Sequence, residues 1–261
     1  MTEINMYLNQ ILQKYNARDL SNYSALLSQL KSTLQTWASA CYVNISYSGS
    51  RAKGTAISLA SDVDYLVSLT SGCNDNSGGL KGCYNSLFTK LNNTYSSVRK
   101  QNVSVRMNLS GLEVDITPAR KQNGNTNYHN LYVSKSDSWT QTNIQKHITD
   151  ISQSSRTNEI KILKIWRELH QLDFSSIYLE YLLVSNILLN KSKDINSLGD
   201  NVWYALNELA KTQGNPLFAR IVDPANSANI LSDLLTSTEK NKIISQAQTA
   251  IRQTNWNQIV W

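Results

Sequence analysis

The chain has 261 residues, 41% of them hydrophobic, which is enough for one large domain or two smaller ones with a real core. Only 3 prolines and 10 glycines are present, and this composition argues against long disordered linkers. The formal net charge of +6 suits an anionic partner such as nucleotides or RNA, but the chain has no run of lysine or arginine.

Neither the N-terminus nor the longest apolar run indicates secretion or membrane insertion. The start, MTEINMYLNQ, lacks a basic segment followed by an apolar one, so we expect no signal peptide. The apolar run Ile177–Leu189 is too short to span a bilayer and contains Glu180, so it reads as a buried helix. We therefore expect a cytoplasmic protein with Cys41, Cys73 and Cys83 as reduced thiols. A disulfide, or half of a metal site, between Cys73 and Cys83 is the alternative.

The first part of the chain changes from helical to strand periodicity. Residues 1–40 are predicted to be helical, with apolar side chains at helical spacing between Tyr23 and Trp37. The alternating segment YVNISY then predicts a strand. A Gly49-Ser50 turn and a short helical stretch follow, and DVDYLVSL continues as a second strand.

The rest of the chain completes an α+β pattern. A helix is predicted near 84–100, and two strands, VSVRMNL (103–109) and LEVDITPA (112–119), are joined by a Ser-Gly turn. From about residue 140 onward the segments show helical periodicity. The predicted fold is a small mixed sheet with helices, followed by a helical C-terminal domain, in a bilobal arrangement with a central cleft.

Three carboxylates on two predicted strands indicate a metal site. Asp62 and Asp64 point to the same side of their strand and repel each other unless a cation lies between them. Asp115 lies on the polar face of LEVDITPA, so all three can converge at one sheet edge. Such hard oxygen ligands favour two Mg²⁺ or Mn²⁺ ions. The alternative is that Asp62 caps its strand and Asp115 pairs with a lysine.

The Gly49-Ser50 turn strengthens this interpretation. A turn between a strand and a helix presents backbone N–H groups to an anion such as phosphate. The phosphate-binding turn and the carboxylates then belong to one strand–helix–strand unit, and this spacing favours a metal-dependent site.

These segments resemble a known superfamily. SGSRAKGTAISLASDVDYLV resembles the G-S-x(8–12)-D-x-D signature of the polymerase-β-type nucleotidyltransferases, and LEVDITPA resembles their third-carboxylate strand. The likeness is strongest to the oligoadenylate synthetase and cyclic GMP–AMP synthase branch, which includes the bacterial cyclic-oligonucleotide synthases (CD-NTases). Later segments, NEIKILKIWREL, SSIYLEYLLV and IVDPANSANIL, are also similar to that branch.

The resemblance assigns roles to the catalytic motifs. It implies that Gly49 and Ser50 bind phosphates of the incoming nucleotide, and that Asp62 and Asp64 hold both metal ions. It also implies that Asp115 binds the catalytic metal and helps to deprotonate the attacking hydroxyl.

The helical half supplies further candidates. By the same resemblance Lys164, and Lys161 on the same helix face, contact the triphosphate, with Ser176 beside them. The alternatives are an ordinary solvated basic face for the lysines and a helix cap for Ser176.

The predicted activity joins NTPs with release of pyrophosphate. Because the chain is short and shows no RNA-binding appendage, the favoured acceptor is a second nucleotide. The product is then a cyclic or linear oligonucleotide messenger, as in CBASS-type anti-phage signalling. The alternatives are an RNA 3′-end nucleotidyltransferase of the CCA-adding or poly(A) kind, and a non-catalytic nucleotide sensor.

Domain boundaries and partners follow from this interpretation. Residues 1–140 are predicted to form a helical lead-in and the catalytic core, and residues 141–261 a helical domain that closes the nucleotide cleft. We expect a monomer that uses NTP substrates, with an activating ligand or partner protein left open and nucleic acid not favoured as a partner.

Overall fold

The computed structural model of the protein describes residues 2–60, 63–74 and 76–261. The helices, in chain order, are α1 (Glu3–Lys14), α2 (Ser24–Ala38), α3 (Gly49–Ala52), α4 (Gly79–Asn92), α5 (Ile144–Ser152), α6 (Thr157–Leu169), α7 (Ser176–Leu182), α8 (Leu198–Leu209) and α9 (Ser237–Ala250). The strands are β1 (Tyr42–Tyr47), β2 (Val63–Leu69), β3 (Arg99–Lys100), β4 (Val105–Leu109), β5 (Leu112–Lys121), β6 (His129–Val133), β7 (Ser138–Thr142), β8 (Val222–Asp223) and β9 (Asn226–Ile230).

Within the described residues, β1 to β7 form one mixed sheet. Its strand order is β1-β2-β5-β4-β3, with β6 paired to the far end of β5 and β7 paired to β6. The β2–β5 pair is parallel and the other pairs of this sheet are antiparallel. The strand that carries the first acidic motif therefore lies directly beside the strand that carries the third acid.

One face of this sheet is buried by α2 and α4. In β5, Val114 and Ile116 are fully buried, whereas the intervening Glu113 and Asp115 are partly exposed. Leucines of α2 and α4 share the core with the buried residues of β2 and β5. Because full burial of a side chain of this size stabilises a fold by about 2 kcal/mol, the alternation decides which face turns inward. The face assignment predicted for β5 is confirmed.

A second core is built by the C-terminal helices together with α1. Leu8 and Ile11 of α1 pack in one cluster with Leu163 and Trp166 of α6 and Leu206 of α8. The predicted buried helix begins at Ser176 as α7 and continues as a π-helical turn over Leu183–Ile187. Within the described residues, no helix has the length and apolar character needed to cross a membrane.

The chain divides into two compact units that alternate along the sequence. One unit comprises residues 1–17, 53–60 and 149–261, and the other comprises residues 18–52 and 61–148. Residues 1–17, which the sequence analysis grouped with the catalytic core, thus pack with the C-terminal helices.

One helix boundary was predicted wrongly. The helix predicted near 84–100 ends at Asn92, and Arg99–Lys100 forms a short strand. The segment around Tyr132 is a strand, β6, because it pairs with the far end of β5. The segment from Asp223 onward is a β8–β9 hairpin: the Asp223 carboxylate accepts hydrogen bonds from the Ala225 N–H and the Asn229 side chain.

The cysteine prediction was also wrong. Cys41 and Cys73 form a disulfide, and the buried Cys83 thiol lies beside it, with its Sγ 3.9 Å from Cys73 Sγ. Cys41 directly precedes β1 and Cys73 follows β2, and these neighbouring strands are antiparallel. The pairing of β1 with β2 therefore brings the two cysteines together, with their Cα atoms 5.5 Å apart.

Candidate active site

Asp64 and Asp115 are paired residues on the parallel strands β2 and β5. Neighbouring strands lie about 4.8 Å apart, so two side chains in register on the same face are adjacent. Both residues are partly exposed, while their neighbours Val63 and Val114 are fully buried. The structure thus brings these two carboxylates together on the face away from the α2–α4 core.

Asp62, the first acid of the predicted motif, lies outside the described residues. Across residues 2–60, 63–74 and 76–261, no group of three or more His, Cys, Asp or Glu side chains is placed to hold a metal ion. The carboxylates of Asp64 and Asp115 nevertheless form a hard oxygen donor set that suits Mg²⁺ or Mn²⁺.

Gly49 brings the Gly-Ser turn into contact with this acidic pair. Its φ of +61° is in the left-handed region, and a β-carbon at this position would lie 1.9 Å from Asp64 Oδ2. The preceding Ser48 N–H donates to the Asp64 carbonyl oxygen at 2.8 Å. Gly49 and Ser50 open α3, and Ser50 is partly exposed. The candidate phosphate-binding turn therefore lies beside the carboxylates of Asp64 and Asp115.

Arg106 belongs to this site and was missed by the sequence analysis. It faces Asp115 across the antiparallel β4–β5 pair. Its Nε donates to Asp115 Oδ1 at 2.8 Å and its Nη2 to Asp115 Oδ2 at 2.6 Å, which is a bidentate ion pair. The alternative predicted a lysine as the partner of Asp115, and the structure gives it an arginine instead. The tight turn after Leu109 would have revealed this, because a turn of known length sets the register of a hairpin.

Arg51 adds a second guanidinium near the acidic pair. Its Nη2 donates to the Arg18 carbonyl oxygen at 2.8 Å, and its Nε is buried without a hydrogen-bond partner among the described residues. Burial lowers the pKa of Arg51, and the charge of Asp64 acts in the opposite direction. A buried donor without a partner is costly, so a hydrogen-bond acceptor that reached this nitrogen would stabilise the structure.

Lys164 lies in a buried ionic cluster of the other unit. Its Nζ donates to Glu180 Oε1 at 2.7 Å and to Thr55 Oγ1 at 2.9 Å, and only 2% of its surface is exposed. Lys53 forms a second ion pair with Glu180. Burial lowers the pKa of Lys164 to about 8, although the negative charge of Glu180 acts to raise that pKa. Burial alone would raise the pKa of Glu180, but Lys53 and Lys164 outweigh it and hold that pKa at about 2.

Lys161 and Ser176 belong to the same unit as Lys164. Lys161 is partly exposed on α6. Ser176 is the first residue of α7, and its Oγ accepts a hydrogen bond from Arg167 Nη1 at 2.9 Å. The capping position is Ser175, whose side chain makes no capping hydrogen bond. Ser176 therefore does not cap the helix, and the structure gives its hydroxyl an arginine partner.

Sequence comparisons identify relatives of this chain. A family described as Second Messenger Oligonucleotide or Dinucleotide Synthetase domain matches residues 3–155. A cyclic AMP-AMP-AMP synthase of Escherichia coli (strain MS 115-1) is 26% identical over 239 residues, which cover 78% of this chain and 73% of that protein.

Two solved structures of CdnC from E. coli MS115-1 have a similar fold. The complex with HORMA-deltaN superimposes with a TM-score of 0.73 at 22% identity, covering 95% of this chain and 89% of that chain. The structure with ATP gives a TM-score of 0.71 at 21% identity, covering 95% and 90%. At these identities the likeness shows the fold, and it confirms the predicted α+β class with a nucleotidyltransferase core.

Proposed function

The chain belongs to the family of Second Messenger Oligonucleotide or Dinucleotide Synthetase domains, and from this premise we propose that it joins NTPs into a cyclic or linear oligonucleotide messenger. The superfamily recognised from the motifs is confirmed, so the chain is a nucleotidyltransferase of the CD-NTase type. The cyclic AMP-AMP-AMP synthase supports a cyclic product and ATP as one substrate. A role in CBASS-type anti-phage signalling is part of the same proposal.

The observation that carries this proposal is the contact of Gly49 with Asp64, next to Asp115. Position 49 of the Gly-Ser turn has no room for a side chain, because the Asp64 carboxylate fills that space. Two carboxylates beside a partly exposed turn fit a metal-bound triphosphate. Asp64 and Asp115, with Asp62 completing the motif in sequence, would hold two Mg²⁺ or Mn²⁺ ions. When bound, such ions neutralise the triphosphate and stabilise both the attacking and the leaving oxygen.

The remaining roles are assigned to individual side chains. The backbone of Gly49 and Ser50 and the Ser50 hydroxyl bind phosphate oxygens, and Arg51 contributes positive charge close by. Asp115 accepts the proton of the attacking ribose hydroxyl. These groups together orient the nucleotide and move one proton.

Lys161, Lys164 and Ser176, the predicted triphosphate contacts, differ in whether they must first leave a partner within the protein. Lys161 is partly exposed and is the simplest candidate. Lys164 would have to leave Glu180, and Ser176 would have to share its hydroxyl with Arg167. We propose that Lys164 chiefly anchors residues 53–60, which follow the Gly-Ser turn in the chain.

Regulation by a partner protein is a further part of the proposal. The CdnC structure was solved with HORMA-deltaN, a protein partner. A similar partner is proposed to activate this chain, which is itself proposed to be a monomer.

The test is product formation from nucleotides alone. Purified protein is incubated with each labelled NTP and with their mixtures in the presence of Mg²⁺ or Mn²⁺, treated with phosphatase, and resolved by chromatography. We expect a phosphatase-resistant small product that disappears in Asp64→Asn and persists in Asp19→Asn, a change of an exposed acid in the same unit. Extension of added RNA without such a product would favour the RNA-tailing alternative. If no pyrophosphate is released with or without RNA, the non-catalytic nucleotide sensor is the remaining function.

A further inference from the structure

Arg106 covers the carboxylate that the proposed metal site needs. Its bidentate contact engages both oxygens of Asp115. The Arg106 side chain is 24% exposed and the Asp115 side chain 14% exposed, so this ion pair is partly shielded from water. Partly buried, charge-assisted contacts of this kind are stronger than surface ion pairs.

The same guanidinium already contacts a second acid. Arg106 Nη1 donates to Glu113 Oε2 at 2.9 Å, and the Glu113 side chain is 40% exposed. Glu113 Oε1 also accepts a hydrogen bond from Arg99 Nη2 at 3.3 Å. Arg106 thus has an alternative carboxylate within reach, one that faces solvent on the same strand.

The charges explain why an arginine occupies this place. Asp64 and Asp115 lie side by side, and two adjacent carboxylates repel each other. The guanidinium supplies positive charge beside this acidic pair, and its bidentate contact fixes the orientation of the Asp115 carboxylate. A divalent cation supplies the same charge, and it would also repel the guanidinium.

We propose that Arg106 is an intramolecular counter-ion that holds Asp115 in place until a divalent cation binds, and that it then shifts towards Glu113. This inference rests on the proposed function, because it assumes that Asp115 is a metal ligand. Arg106 is accordingly a positioning residue: it fixes the Asp115 carboxylate in the absence of metal, and it lowers the affinity for metal because the cation must displace it.

The test measures cation binding directly, without catalysis. Mn²⁺ alone is titrated into the nucleotide-free full-length protein, and free Mn²⁺ is followed by electron paramagnetic resonance. We expect Arg106→Gln to bind Mn²⁺ about tenfold more tightly, since a charge-assisted contact no longer has to be broken. The matched control is Arg99→Gln, which removes the other arginine from Glu113 and is expected to leave Mn²⁺ affinity unchanged.

Thermal unfolding provides the second readout. In the presence of EDTA, Arg106→Gln is expected to unfold at a lower temperature than the wild type, and saturating Mn²⁺ is expected to close most of that difference. If Arg106→Gln fails to fold, Arg106→Lys replaces it, because lysine keeps the charge but loses the bidentate contact; a smaller gain in Mn²⁺ affinity is then expected.

Two results separate failure of this inference from failure of the proposed function. Unchanged or weaker Mn²⁺ binding by folded Arg106→Gln, with binding lost in Asp115→Asn, would overturn the role of Arg106 alone. Wild-type Mn²⁺ binding by Asp115→Asn would overturn the metal site itself, and the inference with it.

Discussion

Gly49 lies against Asp64 so closely that a β-carbon on it would come within 1.9 Å of the carboxylate oxygen Oδ2. The two residues are separated in sequence by α3 and residues 53–60, yet the fold places them in direct contact. Any side chain at position 49 must push the carboxylate of Asp64 away from its present place.

The first prediction concerns this contact. Gly49→Ala is expected to abolish product formation, because the new methyl group displaces Asp64. The left-handed backbone alone costs about 1 kcal/mol for alanine. Gly214 has the same φ of +61° with no atom within 4 Å of an added β-carbon, so Gly214→Ala is the matched control. We expect the control to lose about 1 kcal/mol in chemical unfolding and to retain activity. Equal activity loss in both variants would contradict this account.

The second prediction separates catalysis from folding at the acidic pair. Asp64→Asn is expected to lower the rate of NTP consumption by about a thousandfold or more, because metal contacts supply several kcal/mol of transition-state stabilisation. Its free energy of unfolding without metal is expected to stay the same or to rise, since one of two adjacent negative charges is removed. Rates from pyrophosphate release and stability from urea unfolding test both parts. A variant that unfolds more readily and keeps its activity would count against the assignment.

The third prediction concerns the pH dependence of the Glu180 cluster. The pKa of Glu180 is lowered from 4.5 to about 2, so its stabilisation is present above pH 4.5 and is lost as the pH falls towards 2. At neutral pH, Glu180→Gln is expected to cost about 3 kcal/mol, because two lysines lose their buried counter-charge. The difference from wild type should shrink as the pH falls through this window.

Urea unfolding of wild type and Glu180→Gln at several pH values measures this effect. The exposed Glu3→Gln change, in the same unit, is the control and should leave the pH profile unaltered. A difference between wild type and Glu180→Gln that is constant from pH 7 to pH 3 would show that the cluster does not titrate as described.

The fourth prediction concerns the disulfide. Cys41 and Cys73 are 32 residues apart in sequence, and a disulfide that closes a loop of this size stabilises a fold by roughly 3–4 kcal/mol. Dithiothreitol is therefore expected to lower the midpoint of thermal unfolding of the wild type. Cys83→Ser is expected to remain sensitive to dithiothreitol, whereas the Cys41→Ala/Cys83→Ser double variant, which keeps one cysteine, should lose that sensitivity. Equal midpoints with and without reductant in the wild type would refute the assignment.

Much of this site could be predicted because it depends on local patterns. Alternation in LEVDITPA placed Asp115 on the polar face, and the structure agrees. The spacing from Gly49-Ser50 to the Asp-x-Asp pair indicated one strand–helix–strand unit, and Gly49 does contact Asp64. These features need only the periodicity of a strand and the chemistry of a turn.

Other features depend on which distant segments pair, and a single sequence does not show this. Parallel pairing of β2 with β5 sets Asp64 opposite Asp115, and antiparallel pairing of β1 with β2 brings Cys41 to Cys73. The burial of Lys164 depends on Glu180, which lies on the next helix along the chain. Arg106 is an intermediate case, because its hairpin register follows from a turn that the sequence does reveal.

Residues 53–60 have a consequence for how this protein can be divided or recombined. The chain leaves the unit of the acidic pair directly after α3, folds eight residues into the other unit, and returns at the Asp-x-Asp motif. Lys53 and Thr55 in that segment have their buried partners on α6 and α7. A fragment cut after residue 148 would retain every acid of the motif and still lack the partners of the segment between turn and strand. A single cut therefore cannot separate the two units, since neither of them forms one uninterrupted stretch of the chain.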